Sequence, residues 1–374
     1  MNRRILLLGA GKIGQAAAHF LSAVGDYDVL VADAHAPSLE RLGGPSTLST
    51  RLLDASDPEA LRDAMSGRDA VLSALTYDMN PAIAQAALES GSSYFDLTED
   101  VATTKLVRAI AEQAKEGQIF MPQCGLAPGF VSIAAFDLTR RFDKLDDVRL
   151  RVGALPQFPS NEMKYNLTWS TDGLINEYGN PCEAIVNGRL IETLPLEGLE
   201  HFSLDGIAYE AFNTSGGVGT LCDTLAGKVR NLDYKTIRYS GHRDLFVFLM
   251  NELRLNDRRA VLKDILESAV PATPQDVVTI FCTVSGWKDE RLTQLTDARR
   301  VYYGDMLGRN YSAIQITTAA SLCAVMDLFF AGTLPTRGFV RQESVPLDAF
   351  LANRFGKCYA VSNKTMVARA EAVV

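Results

Sequence analysis

Residues 5–14 read Ile-Leu-Leu-Leu-Gly-Ala-Gly-Lys-Ile-Gly, an apolar run followed by glycines at 9, 11 and 14. Helical spacing of Ile13, Ala16, Ala17, Phe20 and Leu21 follows at once. This is strand, glycine loop, helix, the opening of a dinucleotide-binding βαβ unit. Gly9 admits the tight turn, Gly11 lets backbone approach a pyrophosphate, and Gly14 allows helix to pack on strand. Unpaired N–H groups at the helix start meet the phosphates. The next apolar run, Val29–Ala32, ends at Asp33, at the spacing of the acid that binds a ribose. A carboxylate there accepts hydrogen bonds from ribose hydroxyls and repels a 2′-phosphate, so NAD is expected over NADP. Gly9, Gly11, Lys12, Ile13, Gly14 and Asp33 are the candidate cofactor residues. Asp54, at the end of the third apolar run, is either a carboxylate beside the adenine or a helix cap. Ala74, Leu75 and Thr76 end the fourth run, where small residues let a nicotinamide ribose approach.

The runs continue as Thr50–Leu53, Ala70–Leu75, Tyr94–Leu97 and Gln118–Met121, each short and bounded by turn residues, as buried parallel strands are. Asp57-Pro58-Glu59 and Asn80-Pro81 supply helix starts between them, and Gly91 supplies a helix end. A Rossmann-type, doubly wound parallel sheet is expected over residues 1–124. From Val148 the candidate strands lengthen and alternate: Arg149–Gly153, Tyr165–Trp169, Lys235–Tyr239 and Val277–Val284. Helices are expected near Asp172–Tyr178, Gly219–Gly227, Arg243–Leu253, Arg258–Ser268 and Ser312–Phe330, the last apolar on nearly all sides and so buried between layers. Residues 125–335 therefore read as an α+β substrate domain with a mixed or antiparallel sheet, which also carries a two-fold homodimer contact. Residues 336–374 are expected to pack back on the first domain.

Composition narrows the function classes. Net charge is −8 with no long basic block, which excludes a nucleic-acid binder. The six cysteines stand far apart with no CxxC pair, so neither a disulfide scaffold nor a zinc site is expected. Ala319–Ala331, the most apolar stretch, is short for a bilayer and is broken by Asp327. The start of the chain runs straight into the glycine loop without a signal-peptide pattern. A cytoplasmic protein with no membrane partner is expected.

Cys124-Gly-Leu-Ala-Pro-Gly129 is a strand end, a Gly/Pro loop and a helix start. Tyr165-Asn166 is followed by Ser170, Gly173-Leu174 and Tyr178, then by Phe212-Asn-Thr-Ser-Gly-Gly217 and Tyr234-Lys-Thr-Ile-Arg-Tyr-Ser-Gly-His242. With the glycine loop, this order resembles the saccharopine dehydrogenase family over residues 3–345, and within it the lysine 6-dehydrogenase group most. The resemblance implies a two-domain oxidoreductase that holds a nicotinamide cofactor in one domain and closes the other over a small amino-acid substrate. The implied first reading is oxidative deamination of lysine at its terminal C–N bond, through an imine. An alternative is a saccharopine- or opine-type reductase joining an amino acid to a keto acid or semialdehyde. A non-enzymatic alternative is a nucleotide-sensing binding protein.

Such a substrate needs a carboxylate clamp and an acceptor for the amine proton. Arg238 stands in an alternating strand and reads as a bidentate fork for a carboxylate, or as one half of a surface ion pair. Thr214 and Ser215, before Gly216-Gly217, offer hydroxyls and backbone N–H groups to an anion, or form a structural turn. Tyr165 and Asn166 are substrate-side candidates from the matched segment. Asp96, at the carboxyl end of the fifth strand, is a base or a satisfied structural acid. His242 and Lys164 are the other candidate bases, the lysine only if burial lowers its pKa. Cys124 reads as a small packing residue near the nicotinamide.

Overall fold

The computed structural model describes residues 2–43 and 48–360. The first domain alternates β1 (Arg3–Leu8), α1 (Lys12–Ala23), β2 (Tyr27–Asp33), α2 (Ala36–Glu40), β3 (Leu48–Leu52), α3 (Pro58–Met65), β4 (Ala70–Ser73), α4 (Asn80–Ser90), β5 (Ser93–Asp96), α5 (Val101–Ala111) and β6 (Ile119–Met121). Asp57 caps α3 through the N–H groups of Glu59 and Ala60, and Gly91 ends α4 in the left-handed region.

The second domain begins with α6 (Phe130–Thr139), β7 (Lys144–Pro156) and α7 (Thr171–Gly179). It continues through β8 (Cys182–Val186), β9 (Arg189–Thr193), β10 (Glu200–Leu204), β11 (Ile207–Asn213), α8 (Leu221–Leu225), β12 (Asn231–Tyr239), α9 (His242–Val247) and α10 (Arg259–Ala269). Then come β13 (Asp276–Lys288), β14 (Arg291–Tyr302), the hairpin β15 (Gly304–Met306) and β16 (Arg309–Tyr311), α11 (Ala313–Phe330), β17 (Gly338–Phe339) and α12 (Leu347–Ala352).

The first sheet has the order β17-β6-β5-β4-β1-β2-β3, every pair parallel. Order reverses at β1, so the crevice where open α/β sheets bind ligands lies above β1 and β4. The sequence predicts six strands there; the seventh, β17, is contributed by the chain's end, which returns to pair Gly338 with Ile119. Of the 336–374 segment, residues 361–374 lie outside the described residues.

The second sheet is mixed and eight-stranded, with β10-β11-β12-β7-β13-β14 as its main path. β12 runs parallel to β7, and β13 antiparallel to both β7 and β14. Tyr165–Trp169 is not a strand: only Leu167 bridges, to Ala272, and the segment runs buried into the Ser170 cap of α7. α11 is long and apolar enough to cross a membrane by length and composition, and 72% of it is buried inside the protein. It packs against α1 on one side and β13 on the other, so its all-round apolar surface is spent on two layers.

Candidate functional site

One cavity of about 430 Å³ opens between the domains. Its floor on the first domain is the glycine loop with Asp33 and the Ala74–Tyr77 strand end. Its far wall on the second domain includes Val152, Trp169, Glu177, Tyr234, Thr236 and Arg238.

The loop fits a dinucleotide. Gly9 has φ +97°, and a Cβ there would stand 2.8 Å from the Ala74 carbonyl oxygen. A Cβ on Gly14 would meet the Gly9 oxygen at 1.9 Å, so only glycine lets α1 start this close to β1. Gly11 instead has nothing within 4 Å of where its Cβ would be, and it caps α1 with no side-chain partner. That open backbone at a helix N-terminus is where a pyrophosphate would seat. When bound, the nicotinamide nucleotide would supply the hydride acceptor. Asp33 accepts from the Ala10 N–H at 2.6 Å and the His35 N–H at 2.7 Å, which holds its carboxylate at the cavity floor. Ile13, Ala74, Leu75 and Thr76 line the cavity too. Lys12 is exposed and only its carbonyl is used, by the Gln315 amide. Asp54 is a turn cap, not a cavity residue: it accepts from the Ser56 N–H and hydroxyl, which hold its carboxyl below the usual range. Cys124 lies beneath the floor. Its thiol donates to the Met121 carbonyl, the Gln342 amide donates to its sulfur, and burial pushes its pKa well up.

On the opposite wall Arg238 is 2% exposed. Its Nε donates to the Tyr178 hydroxyl and Nη1 to the Ile237 carbonyl, each at 2.8 Å, and the guanidinium lies 5.2 Å from the Tyr165 ring. No carboxylate pairs with it among the described residues. The sequence reading puts Ile237 toward the core and Arg238 on an open face; both are buried, Ile237 among Leu155, Tyr209 and Val277 of the neighbouring strands and Arg238 against Tyr178 of α7 beside the cavity.

His242 is not placed to act as a base. It is fully buried and does not line the cavity. Nδ1 donates to the Met163 carbonyl at 2.9 Å, which leaves Nε2 to accept from the Tyr178 hydroxyl at 3.1 Å. Burial, then the Arg238 charge, push its pKa down to about 3. Lys164 is exposed, with Nζ donating to the Ser240 carbonyl. Asp96 is wholly enclosed and already satisfied by the Thr98 and Gln123 N–H groups and the Tyr94 hydroxyl, so it ties two loops together; burial raises its pKa to about 6.

Thr214 and Ser215 do not face the cavity. Ser215 donates its hydroxyl to Pro181 and its N–H to the Glu177 carbonyl. The turn's use is contact between domains: Gly216, at φ +82°, approaches so closely that a Cβ would lie 2.2 Å from the Glu99 carbonyl oxygen. Asn166 is buried with Oδ1 unbonded, and Tyr165 supplies the ring beside Arg238.

Two residues that the sequence reading passed over stand in the cavity wall. Glu99 comes from the loop after β5, three residues beyond Asp96, and accepts from the Asn176 amide at 3.3 Å. Burial raises its pKa to about 7. Glu177, on α7, is 6% exposed, and burial followed by the Glu99 charge raises its pKa well above the carboxylate range. Gly173 and Glu177 share one face of α7, four residues apart, and Gly173 makes room for the Trp169 ring. The signal for Glu177 was present, since it precedes Tyr178 inside a matched segment. Among the described residues no cluster of metal-ligating side chains occurs.

Residues 5–121 match the family profile described as saccharopine dehydrogenase NADP binding domain, and residues 125–356 the one described as saccharopine dehydrogenase C-terminal domain. The chain is 24% identical to the saccharopine dehydrogenase [NADP(+), L-glutamate-forming] of Saccharomyces cerevisiae, across 87% of this chain and 77% of that one. It is 22% identical to the mitochondrial alpha-aminoadipic semialdehyde synthase of Bos taurus, over 51% of this chain but only 21% of that one. The solved apo saccharopine dehydrogenase (L-Glu forming) from Saccharomyces cerevisiae superposes with a TM-score of 0.74 at 17% identity, covering 96% of each chain. That likeness carries the two-domain fold.

Proposed function

This chain belongs to the saccharopine dehydrogenase family, and from that premise we propose that it moves a hydride between a nicotinamide nucleotide and the C–N bond of an amino-acid substrate held in the interdomain cavity. One observation carries the reading. Arg238 is a buried guanidinium that forms no salt bridge among the described residues, Glu177 acting on it only from a distance, in the same cavity as the glycine loop. An unpaired buried charge is costly, and a substrate carboxylate is the partner that would offset it.

Within that class, the names of the curated relatives support the saccharopine-type reaction, the alternative of the sequence reading, better than lysine deamination. We therefore put first the secondary amine that joins two amino-acid skeletons, oxidised at its C–N bond or formed in the reverse direction. A specific observation keeps lysine-type oxidation as the second reading. The cavity wall carries one cation, Arg238, against Asp33, Glu99, Asp172 and Glu177, a balance suited to one carboxylate and an amine. Spectrophotometry of nucleotide reduction with saccharopine and with L-lysine, each under NAD and NADP, tests both. Activity with saccharopine alone supports the first reading, with L-lysine alone the second, and with neither amine sinks the class.

The nucleotide preference is also part of the proposal. The matched profile and the yeast relative are named for NADP, whereas Asp33 at the cavity floor supports NAD. A homodimer through the second sheet, whose exposed Trp287 and Leu292 would be covered, belongs to it as well. Light scattering would read the mass.

A further inference from the structure

The cavity accounts for a substrate carboxylate at Arg238 but leaves open what receives a proton from the amine. Oxidation of a C–N bond needs the nitrogen lone pair, and an ammonium has none until it loses a proton. The three candidates of the sequence reading are enclosed, satisfied or on the surface: His242, Asp96 and Lys164.

The geometry points to Glu177, paired with Glu99 across the domain interface, as the group that binds the substrate amine and takes its proton. This rests on the C–N oxidoreductase reading above. Both carboxylates line the cavity with Arg238 and the nucleotide loop. They come from different domains and are held together by two contacts. Asn176, the neighbour of Glu177, donates to Glu99, and the 215–217 turn binds the Glu177 carbonyl through Ser215 while Gly216 rests on the Glu99 backbone. Glu177 is more than nine-tenths buried, and its carboxylate makes no hydrogen bond or salt bridge among the described residues, only the more distant Arg238 charge favouring its ionised form. A buried, unpartnered acid aimed into a cavity is poorly solvated, and a cationic amine supplies what it lacks.

The step balances. The ammonium gives one proton to Glu177, leaving a neutral amine. The C–H electron pair departs as hydride to the nicotinamide ring, and the freed lone pair closes the C=N bond. The products are an iminium, the reduced nucleotide and a carboxylic acid at Glu177; in the reverse direction that acid returns the proton. Asp96 and Asp100 face Glu99 from its own segment. Arg238 faces Glu177 from β12 and lowers its pKa, while Tyr165, Tyr178 and Tyr234 stand around it. Burial raises both carboxyls; the Glu99 charge raises Glu177 further, and Asp100 and Asp96 raise Glu99.

The test uses the full chain with Glu177→Gln, Glu99→Gln and Glu177→Asp. Two readouts are taken: the pH profile of kcat/KM with whichever of saccharopine or L-lysine turns over, and calorimetric binding of L-lysine against L-norleucine, which keeps the carboxylate but lacks the terminal amine. Glu177→Gln is expected to cost about 10²-fold or more in kcat and to erase the acidic limb of the profile. Glu177→Asp should recover part of the loss. The wild-type preference for L-lysine over L-norleucine should be about tenfold or more, and should collapse in Glu177→Gln. Circular dichroism checks folding, and if Glu177→Gln is unfolded, Glu99→Gln must show the same collapse of preference. An unchanged acidic limb with kcat within threefold of wild type overturns the role of Glu177 and leaves the C–N reading standing. A wild type that reduces neither nucleotide with any amine overturns the C–N reading, and the binding comparison then still decides whether the pair holds an amine.

Discussion

Nε of Arg238 donates to the hydroxyl of Tyr178 at 2.8 Å, and this bond aims the guanidinium along the cavity wall. Tyr178 in turn donates to His242, whose ring is anchored on the Met163 carbonyl. The histidine offered by the sequence as a candidate base is thus the far end of a hydrogen-bonded support for Arg238.

If Arg238 binds the substrate carboxylate, Arg238→Ala should cost about 10²-fold or more in kcat/KM. Nucleotide affinity, read by fluorescence quenching, should stay within twofold, because the loop lies on the other domain. Arg238→Lys should recover only part, since an ammonium lacks the planar fork. Arg238→Met adds a sharper check. Replacing a buried charge that has no carboxylate partner by an apolar chain of similar length should not lower Tm in the absence of substrate. A marked drop in Tm with kinetics intact would make Arg238 a structural residue.

Asp33 braces the glycine loop through the Ala10 N–H and also stands where a ribose would lie. NAD is therefore expected to bind at least about tenfold tighter than NADP, because a 2′-phosphate would sit against a carboxylate. Asp33→Ala should narrow the gap and weaken both nucleotides, since the brace goes with the charge. Titration of each nucleotide decides it, and equal affinities in the wild type would refute the electrostatic argument.

Gly11 and Gly9 make a contrast that tests the loop itself. Gly11 has φ −71° and open space before it, so Gly11→Ala should fold with unchanged Tm. Its methyl would occupy the approach of the pyrophosphate, and nucleotide affinity should fall by about tenfold or more. Gly9→Ala, at φ +97° against the Ala74 carbonyl, should lower stability by about 1–3 kcal/mol. Calorimetry of the two variants separates a binding loss from a folding loss.

The first domain was legible because its signals are local. A glycine loop, proline-marked helix starts and an acid at a fixed offset each act within a few residues of chain. β17 was not, since two residues pairing with β6 from more than 200 positions away carry no periodicity. Strand-end reasoning reached Asp96, but the loop that follows turns Glu99, not Asp96, into the cavity. The motif residues Thr214, Ser215 and His242 drew attention as chemical groups. Their position is set by packing instead, Gly216 needing contact with Glu99 and His242 needing the enclosed space beneath Tyr178. Arg238 was reached from strand alternation, yet its burial against Tyr165 and Tyr178 depends on segments distant in sequence closing around it.

His242 provides a test of its packing role through pH. Its folded-state pKa is about 3, below the ordinary 6.5, because burial and Arg238 disfavour the imidazolium. Between those values the unfolded chain takes a proton at this position and the folded chain does not. Stability from this group is therefore fully present above pH 6.5 and is lost as pH falls toward 3. By pH 4 the loss amounts to about 3 kcal/mol. Asp96 and Asp276, both raised to about 6 by burial, act in the opposite sense, holding protons in the folded state that the unfolded chain has released above its ordinary 3.8. The wild-type profile is a sum of these effects, so the comparison must be with His242→Gln, which bonds without titrating. Urea midpoints at pH 7, 5 and 4 should show the wild type more stable than His242→Gln at pH 7, with that advantage shrinking as the pH falls. Nucleotide reduction by His242→Gln at pH 7 should persist in proportion to the folded fraction. A stability gap that stays constant with pH, together with activity abolished in a folded variant, would return His242 to the chemistry.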